Sequence, residues 1–99
     1  MSLIKITIIG VGQMGYNHLR VLSNLKGIHI NSIYDKNIDR IKKISKKFKV
    51  IYSNDLKKSL QNSDAAIICT PTNTHLKFFS LASKYVKNIF IEKPVTGKI

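Results

Sequence analysis

The chain has 99 residues, of which 43% are hydrophobic and 22% are charged. This length suits one domain with one core, and this composition excludes a disordered or membrane-spanning chain. The formal charge of +12 would attract phosphates of any kind, including nucleic acid, and more than half of the basic residues fall between Lys36 and Lys58.

Hydrophobic periodicity predicts strands and helices that alternate along the whole chain. In order, these are strand 4–9, helix 13–25, strand 28–34, helix 38–48, strand 50–52, helix 55–60, strand 65–69, helix 74–86 and strand 89–91. The alternation predicts a single α/β domain over 1–99, with a doubly wound parallel sheet of strand order 3-2-1-4-5.

Apolar residues at three- and four-residue spacing predict the helix faces that pack on the sheet. The predicted inward residues are Met14, His18, Val21, Leu22 and Leu25 in the first helix, Ile38, Ile41, Ile44 and Phe48 in the second, and Leu76, Phe79, Ala82 and Val86 in the last. We interpret His18 as a hydrogen-bonded core histidine. Cys69, the only cysteine, follows an apolar strand and is predicted to be a buried small hydrophobe, which suits a reducing compartment.

A glycine motif follows the first predicted strand. It matches G-x-G-x-x-G and consists of Gly10, Val11, Gly12, Gln13, Met14 and Gly15. Gly10 would make the tight turn, Gly12 would let the backbone approach a pyrophosphate, and Gly15 would let the helix pack closely on the strand. The amino terminus of the helix, with Gln13 and Met14, would face the phosphates. The motif in this setting predicts a Rossmann-type domain that binds a dinucleotide.

An acidic residue stands 20 positions after the last glycine of the motif. Asp35 ends the second predicted strand, where its carboxylate can accept hydrogen bonds from both ribose hydroxyls of an adenosine. It would repel the 2'-phosphate of NADP, whereas Lys36 and Arg40 nearby would partly offset that repulsion. The charges favour NAD and leave NADP as an alternative.

Two further motifs stand at the ends of the fourth and fifth predicted strands. They are Cys69-Thr70-Pro71-Thr72-Asn73-Thr74-His75 and Glu92-Lys93-Pro94. With the glycine motif they resemble the Gfo/Idh/MocA family, which includes glucose-fructose oxidoreductase, inositol dehydrogenase and related sugar and polyol dehydrogenases. The resemblance covers nearly the whole chain and implies an NAD(P)-dependent oxidoreductase.

The resemblance also implies roles for these residues. Glu92 would touch the cofactor's ribose, and Lys93 would be catalytic, because the family's lysine positions the reacting hydroxyl or carbonyl and can stabilise developing alkoxide charge. Pro94 would follow a cis peptide bond. The residues expected beside the nicotinamide are Thr70, Pro71, Asn73 and His75, and Thr72 is expected to bind the cofactor as well. Without the resemblance, Lys93 would be interpreted as a solvated lysine before a proline.

Family members continue into a second α/β domain, which supplies substrate contacts, oligomer contacts and usually the histidine that acts as general base. Residues 1–99 do not reach that domain or the sixth strand of a complete dinucleotide fold. We therefore expect them to be part of a longer enzyme, and to bind cofactor without turnover by themselves.

Two other functions stay open at this point. The chain could be a non-catalytic NAD-sensing or regulatory module, because a fold does not determine a function. A nucleic-acid-binding protein would use the basic cluster of Lys42, Lys43, Lys46, Lys47 and Lys49, but no interleaved aromatic residues or known binding motif accompany that cluster. We predict a cytoplasmic protein with dinucleotide and small-molecule partners, without metal, nucleic-acid or membrane partners, that forms oligomers only with the second domain.

Overall fold

All neighbouring strands of the central sheet run parallel. The computed structural model describes residues 3–92, with strands at Ile4–Ile9 (β1), Ile28–Tyr34 (β2), Ala65–Ile68 (β3) and Asn88–Ile91 (β4). Their order across the sheet is β2-β1-β3-β4. These are the second, first, fourth and fifth predicted strands, so the predicted parallel α/β fold is confirmed.

The predicted third strand is reduced to a single bridge beside β2. Tyr52 pairs with Ile33 in the parallel sense. The Ile33 N–H donates to the Ile51 carbonyl at 3.0 Å, and the Ser53 N–H donates to the Ile33 carbonyl at 2.7 Å. The segment therefore occupies the outer position that the order 3-2-1-4-5 assigns to it, but it is too short to form a ladder.

Four α-helices connect the strands. They are Gln13–Leu22 (α1), Ile38–Phe48 (α2), Leu56–Gln61 (α3) and His75–Ala82 (α4), and a 3₁₀ turn at Thr72–Thr74 precedes α4. Side-chain oxygens of Asn37 and Asp55 cap α2 and α3 by accepting backbone N–H groups in the first turn. Within residues 3–92, no helix has the length and apolar character that crossing a bilayer requires.

The sheet is buried on both faces, as the predicted architecture requires. Ile8 belongs to a core cluster with Leu19 of α1 and Ile41 of α2. The next residue, Ile9, belongs to a second cluster with Leu60 of α3 and Phe78 of α4. Because successive strand residues point to opposite faces, α1 and α2 cover one face and α3 and α4 cover the other.

The buried face of α1 differs from the predicted one. Gly15 and Leu19 are buried, whereas Val21 and Leu25 are about half exposed. The helix ends at Leu22, so Leu25 lies beyond it. Gly15 sets the rotation of the helix, because it packs against the turn at Gly10.

The predicted inward faces of α4 and α2 were also partly wrong. Leu76 and Phe79 are 77% and 43% exposed, and Phe78 is buried instead. The sequence of α4 carries two apolar stripes, and the rotation of the helix buries the stripe with Phe78 and Ala82. In α2, Ile38 at the amino end is exposed, while Ile41 and Ile44 are buried as predicted.

Candidate dinucleotide site

A groove of about 690 Å³ opens at the carboxyl edge of the sheet. It lies where the strand order reverses, since β1 is flanked by β2 on one side and β3 on the other. Open α/β sheets bind ligands in this crevice. Most of the predicted cofactor-binding residues line it: Gly10, Gly12, Gln13, Met14, Asp35, Lys36, Arg40, Thr70, Pro71, Asn73 and Glu92.

The glycine loop presents open backbone to the groove. Gly10 has a φ of +93°, and a Cβ there would lie 2.9 Å from the carbonyl group of Cys69, so this turn requires glycine. A Cβ on Gly12 would meet none of the described residues within 4 Å. Gly12 is also the N-cap residue of α1, and no side chain within residues 3–92 caps this helix end. Open space next to uncapped N–H groups at a helix amino terminus fits a pyrophosphate.

Asp35 is buried beside this loop, immediately after β2, and is 7% exposed. Its Oδ2 accepts the Val11 N–H at 2.8 Å, and its Oδ1 accepts the Asn37 N–H at 2.8 Å. The Arg40 guanidinium nitrogen Nη2 lies 3.2 Å from both oxygens. The carboxylate therefore joins the glycine loop to the start of α2, and its charge is paired.

Glu92 reaches the groove from the end of β4 and is hydrogen-bonded to α1. The Nε2 of His18 lies 2.8 Å from Glu92 Oε1. A carboxylate only accepts, so His18 donates from Nε2. The His18 side chain is 31% exposed and stands edge-on to the Phe90 ring. His18 is therefore hydrogen-bonded as expected, but it lies at the rim of the site and not in the core.

The loop after β3 is held by its own side chains. His75 Nε2 lies 2.8 Å from the Thr70 carbonyl oxygen, so Nε2 carries the proton and donates it. Thr74 Oγ1 lies 2.7 Å from both the Pro71 carbonyl oxygen and Thr70 Oγ1. Among the described residues, His75 and Thr72 do not line the groove. His75 stabilises the loop through its hydrogen bond to the Thr70 carbonyl.

Cys69 lines the same groove as a neutral thiol. Burial and, to a smaller extent, the negative charge of Glu92 raise the pKa of the Cys69 thiol to about 12. The raised pKa agrees with the prediction of an unreactive thiol, but Cys69 is half-buried at the groove and not fully buried as predicted.

Among the described residues, sequence reasoning missed five that line the groove: Tyr34, Cys69, Thr74, Lys77 and Phe78. The Lys77 ammonium lies 5.3 Å from the centre of the Phe78 ring. Tyr34 could have been found from its place just before Asp35, but no pattern marks Lys77. The predicted catalytic Lys93, and Pro94 after it, lie outside the described residues.

The comparisons with known proteins agree with this geometry. A family model described as an oxidoreductase family with an NAD-binding Rossmann fold matches residues 4–99. Myo-inositol 2-dehydrogenase of Thermotoga maritima is 30% identical over 93% of this chain and 28% of its own length. An uncharacterized oxidoreductase of Bacillus subtilis, YrbE, is 34% identical over 90% of this chain and 27% of its own length.

A solved structure gives the same result. UDP-N-acetylglucosamine 3-dehydrogenase GnnA of Acidithiobacillus ferrooxidans superimposes with a TM-score of 0.84 at 26% identity, over 95% of this chain and 31% of that chain. The chain thus spans less than a third of the length of these relatives. The match over residues 4–99, together with the glycine loop and Asp35 at the strand-order reversal, shows that the chain belongs to the Gfo/Idh/MocA oxidoreductase family and forms its NAD(P)-binding Rossmann domain.

Proposed function

We propose that the chain is the cofactor-binding part of a longer enzyme that oxidises a hydroxyl group or reduces a carbonyl group of a sugar, polyol or related substrate, with NAD as the preferred cofactor. When bound, the nicotinamide would supply the hydride chemistry. Gly12 and the amino end of α1 would bind the pyrophosphate, Asp35 the adenosine ribose, and Glu92 the ribose next to the nicotinamide.

The position of Asp35 carries this proposal. Its carboxylate lines the groove, and it is tied to the glycine loop by the 2.8 Å hydrogen bond from Val11. An acid at this strand end suits a ribose with free hydroxyls better than one with a 2'-phosphate. The Asp35 carboxylate would make NADP bind more weakly than NAD. The positive charges of Lys36, Arg40 and Lys77, which line the same groove, would keep NADP binding possible.

The relatives support the substrate class. One is named a myo-inositol dehydrogenase and another a UDP-N-acetylglucosamine dehydrogenase, and both names denote polyhydroxylated six-membered rings. We propose the same chemical class here. Lys93 is proposed as the catalytic residue, since it directly follows Glu92, which lines the groove. In the full-length enzyme, Lys93→Met should lower kcat severely and leave NADH affinity nearly unchanged.

The first test is a calorimetric titration of the 99-residue chain with NADH and NADPH, at about 50 mM and 200 mM salt. We expect saturable binding of both, tighter for NADH, without turnover of a polyol. Tighter binding of NADPH would refute the cofactor preference. Binding of neither dinucleotide, or binding that disappears at the higher salt without saturating, would contradict the proposed site.

A further inference from the structure

Glu92 is held by two different elements, one through its backbone and one through its side chain. Its N–H donates to the Ile68 carbonyl at the end of β3, at 2.9 Å, which fixes the Glu92 backbone beside the groove. A glutamate side chain still has several rotatable bonds, so a fixed backbone does not determine where its carboxylate points. The Nε2 of His18 in α1 donates to Oε1 at 2.8 Å. The direction of the carboxylate therefore depends on His18.

The His18 ring is itself constrained from two sides. His18 lies on α1, and Gly15 sets the rotation of that helix because it packs against the Gly10 turn. The imidazole also stands edge-on to the Phe90 ring of β4, with the ring centroids 5.8 Å apart, which is a favourable arrangement of two aromatic rings. Both α1 and β4 therefore hold the donor that directs Glu92.

One oxygen of the Glu92 carboxylate remains available to a ligand. Oε1 accepts from His18, whereas Oε2 accepts no hydrogen bond from residues 3–92. The Glu92 side chain is 24% exposed and lines the groove, so a hydroxyl group of a bound molecule can reach it. A hydrogen bond to an ionised carboxylate is roughly twice as strong as one between neutral groups. Glu92 thus presents one directed acceptor to the groove.

We infer that His18 is a positioning residue: it holds one oxygen of Glu92 and so directs the other to the ribose next to the nicotinamide. Within the described part of the chain, His18 does not line the groove, so it acts through Glu92 and does not touch the cofactor. Placing that ribose also places the reacting ring, and small errors in this placement are costly to the reaction. This inference rests on the proposed dinucleotide site.

The test compares two ligands that share the adenosine and the pyrophosphate. NADH contains the second ribose, whereas ADP ends before it. The full chain and its variants are titrated with each ligand by calorimetry at about 200 mM salt, which weakens nonspecific binding to the basic surface. His18→Phe keeps an aromatic ring beside Phe90 and removes the donor. It should bind NADH about tenfold more weakly, because a hydrogen bond to a charged group is no longer directed, and should bind ADP within about twofold of the wild type.

Three further variants isolate the hydrogen bond. His18→Gln keeps a side-chain N–H donor and should bind NADH within about threefold of the wild type. Val21→Ala, at a half-exposed position of the same helix, is the matched control and should leave both affinities unchanged. In a chain that carries Glu92→Ala, His18→Phe should cause no further loss of NADH affinity, because the two residues act as one unit. Far-ultraviolet circular dichroism and melting temperature establish that each variant is folded.

Three results would overturn the inference. If His18→Phe lowers the NADH and ADP affinities by one factor, or changes neither, His18 does not position the second ribose, and the proposed function still stands. If the losses from His18→Phe and Glu92→Ala add in the double variant, or if His18→Gln loses as much NADH affinity as His18→Phe, the hydrogen bond to Glu92 is not the cause. If the wild type binds neither ligand, the proposed function and this inference fail together.

Discussion

Gly15 approaches Gly10 so closely that a Cβ on Gly15 would lie 1.8 Å from the Gly10 carbonyl oxygen. No rotamer can relieve this overlap, because both partners are backbone. Gly15→Ala should lower the free energy of unfolding by at least about 1–3 kcal/mol, which is the usual cost of overpacking. Urea denaturation measures this. Gly12→Ala is the control and should cost less than about 1 kcal/mol, because a Cβ there meets no atom of residues 3–92 within 4 Å. Equal losses would contradict the packing role of Gly15.

Gly12→Val separates binding from folding. The side chain would enter the groove where we propose that the pyrophosphate binds, and its Cβ would meet no atom of the described part of the chain within 4 Å. We expect NADH binding to be lost in calorimetry, while the melting temperature stays within a few degrees, about the change that 1 kcal/mol produces. Unchanged NADH affinity would show that the pyrophosphate does not bind there.

Asp35→Ala should affect both stability and cofactor preference. The buried Val11 N–H, which donates to Asp35 at 2.8 Å, would lose its acceptor, at a cost of about 1–3 kcal/mol. NADH affinity should fall more than NADPH affinity, because the substitution removes a hydroxyl acceptor and a charge that repels phosphate. Denaturation measures the loss of stability, and paired titrations measure the change in cofactor preference.

Asp35→Asn, which keeps one oxygen acceptor, should lose less stability. Equal losses of the two affinities would contradict the ribose role.

The rotation of α4 can be tested by a pair of substitutions. Phe78 is 8% exposed and Leu76 is 77% exposed. Phe78→Ala should cost about 3–5 kcal/mol of unfolding free energy because it leaves a cavity in the core. Leu76→Ala should change stability by less than about 0.5 kcal/mol. A larger loss of unfolding free energy for Leu76→Ala than for Phe78→Ala would show that the helix buries the face predicted from the sequence.

Cys69 should be unreactive at ordinary pH. Its pKa is raised to about 12, so the thiol stays protonated, and its alkylation rate should keep rising with pH up to that value. An unfolded chain, whose cysteine has a pKa of about 8.5, should instead react rapidly near pH 9. Iodoacetamide kinetics of the native and urea-unfolded chain between about pH 7 and pH 10 test this. A native rate that levels off near pH 9 would disprove the raised pKa.

Several features of the fold and site could be predicted from the sequence, because they depend on neighbouring residues. Hydrophobic periodicity is a local signal, and it predicted the four strands and their parallel arrangement. The glycine spacing and the acid after β2 are also local patterns, and parallel strands bring their carboxyl ends to one edge of the sheet. The predicted residues Gly12, Asp35 and Glu92 therefore lie around one groove.

Hydrogen bonds between distant elements could not be predicted in this way. His18 in α1 and Glu92 after β4 are 74 residues apart in the chain, yet their side chains meet at 2.8 Å. The position of the Arg40 guanidinium on both oxygens of Asp35 likewise depends on a side-chain rotamer. Sequence spacing placed Arg40 near Asp35 but did not show that it covers the carboxylate.

The register of β2 was decided by tertiary structure alone. Ile6 pairs with Ile30, but the next residue of β1 pairs with Ser32, so Asn31 is an extra residue in a bulge. The bulge brings Ile30 and Ile33 into the same core cluster, although they are three residues apart. The sequence by itself determined that this segment is a strand and that Asp35 directly follows it. A two-residue period cannot show where a bulge falls, because that depends on the strand and helices packed against it.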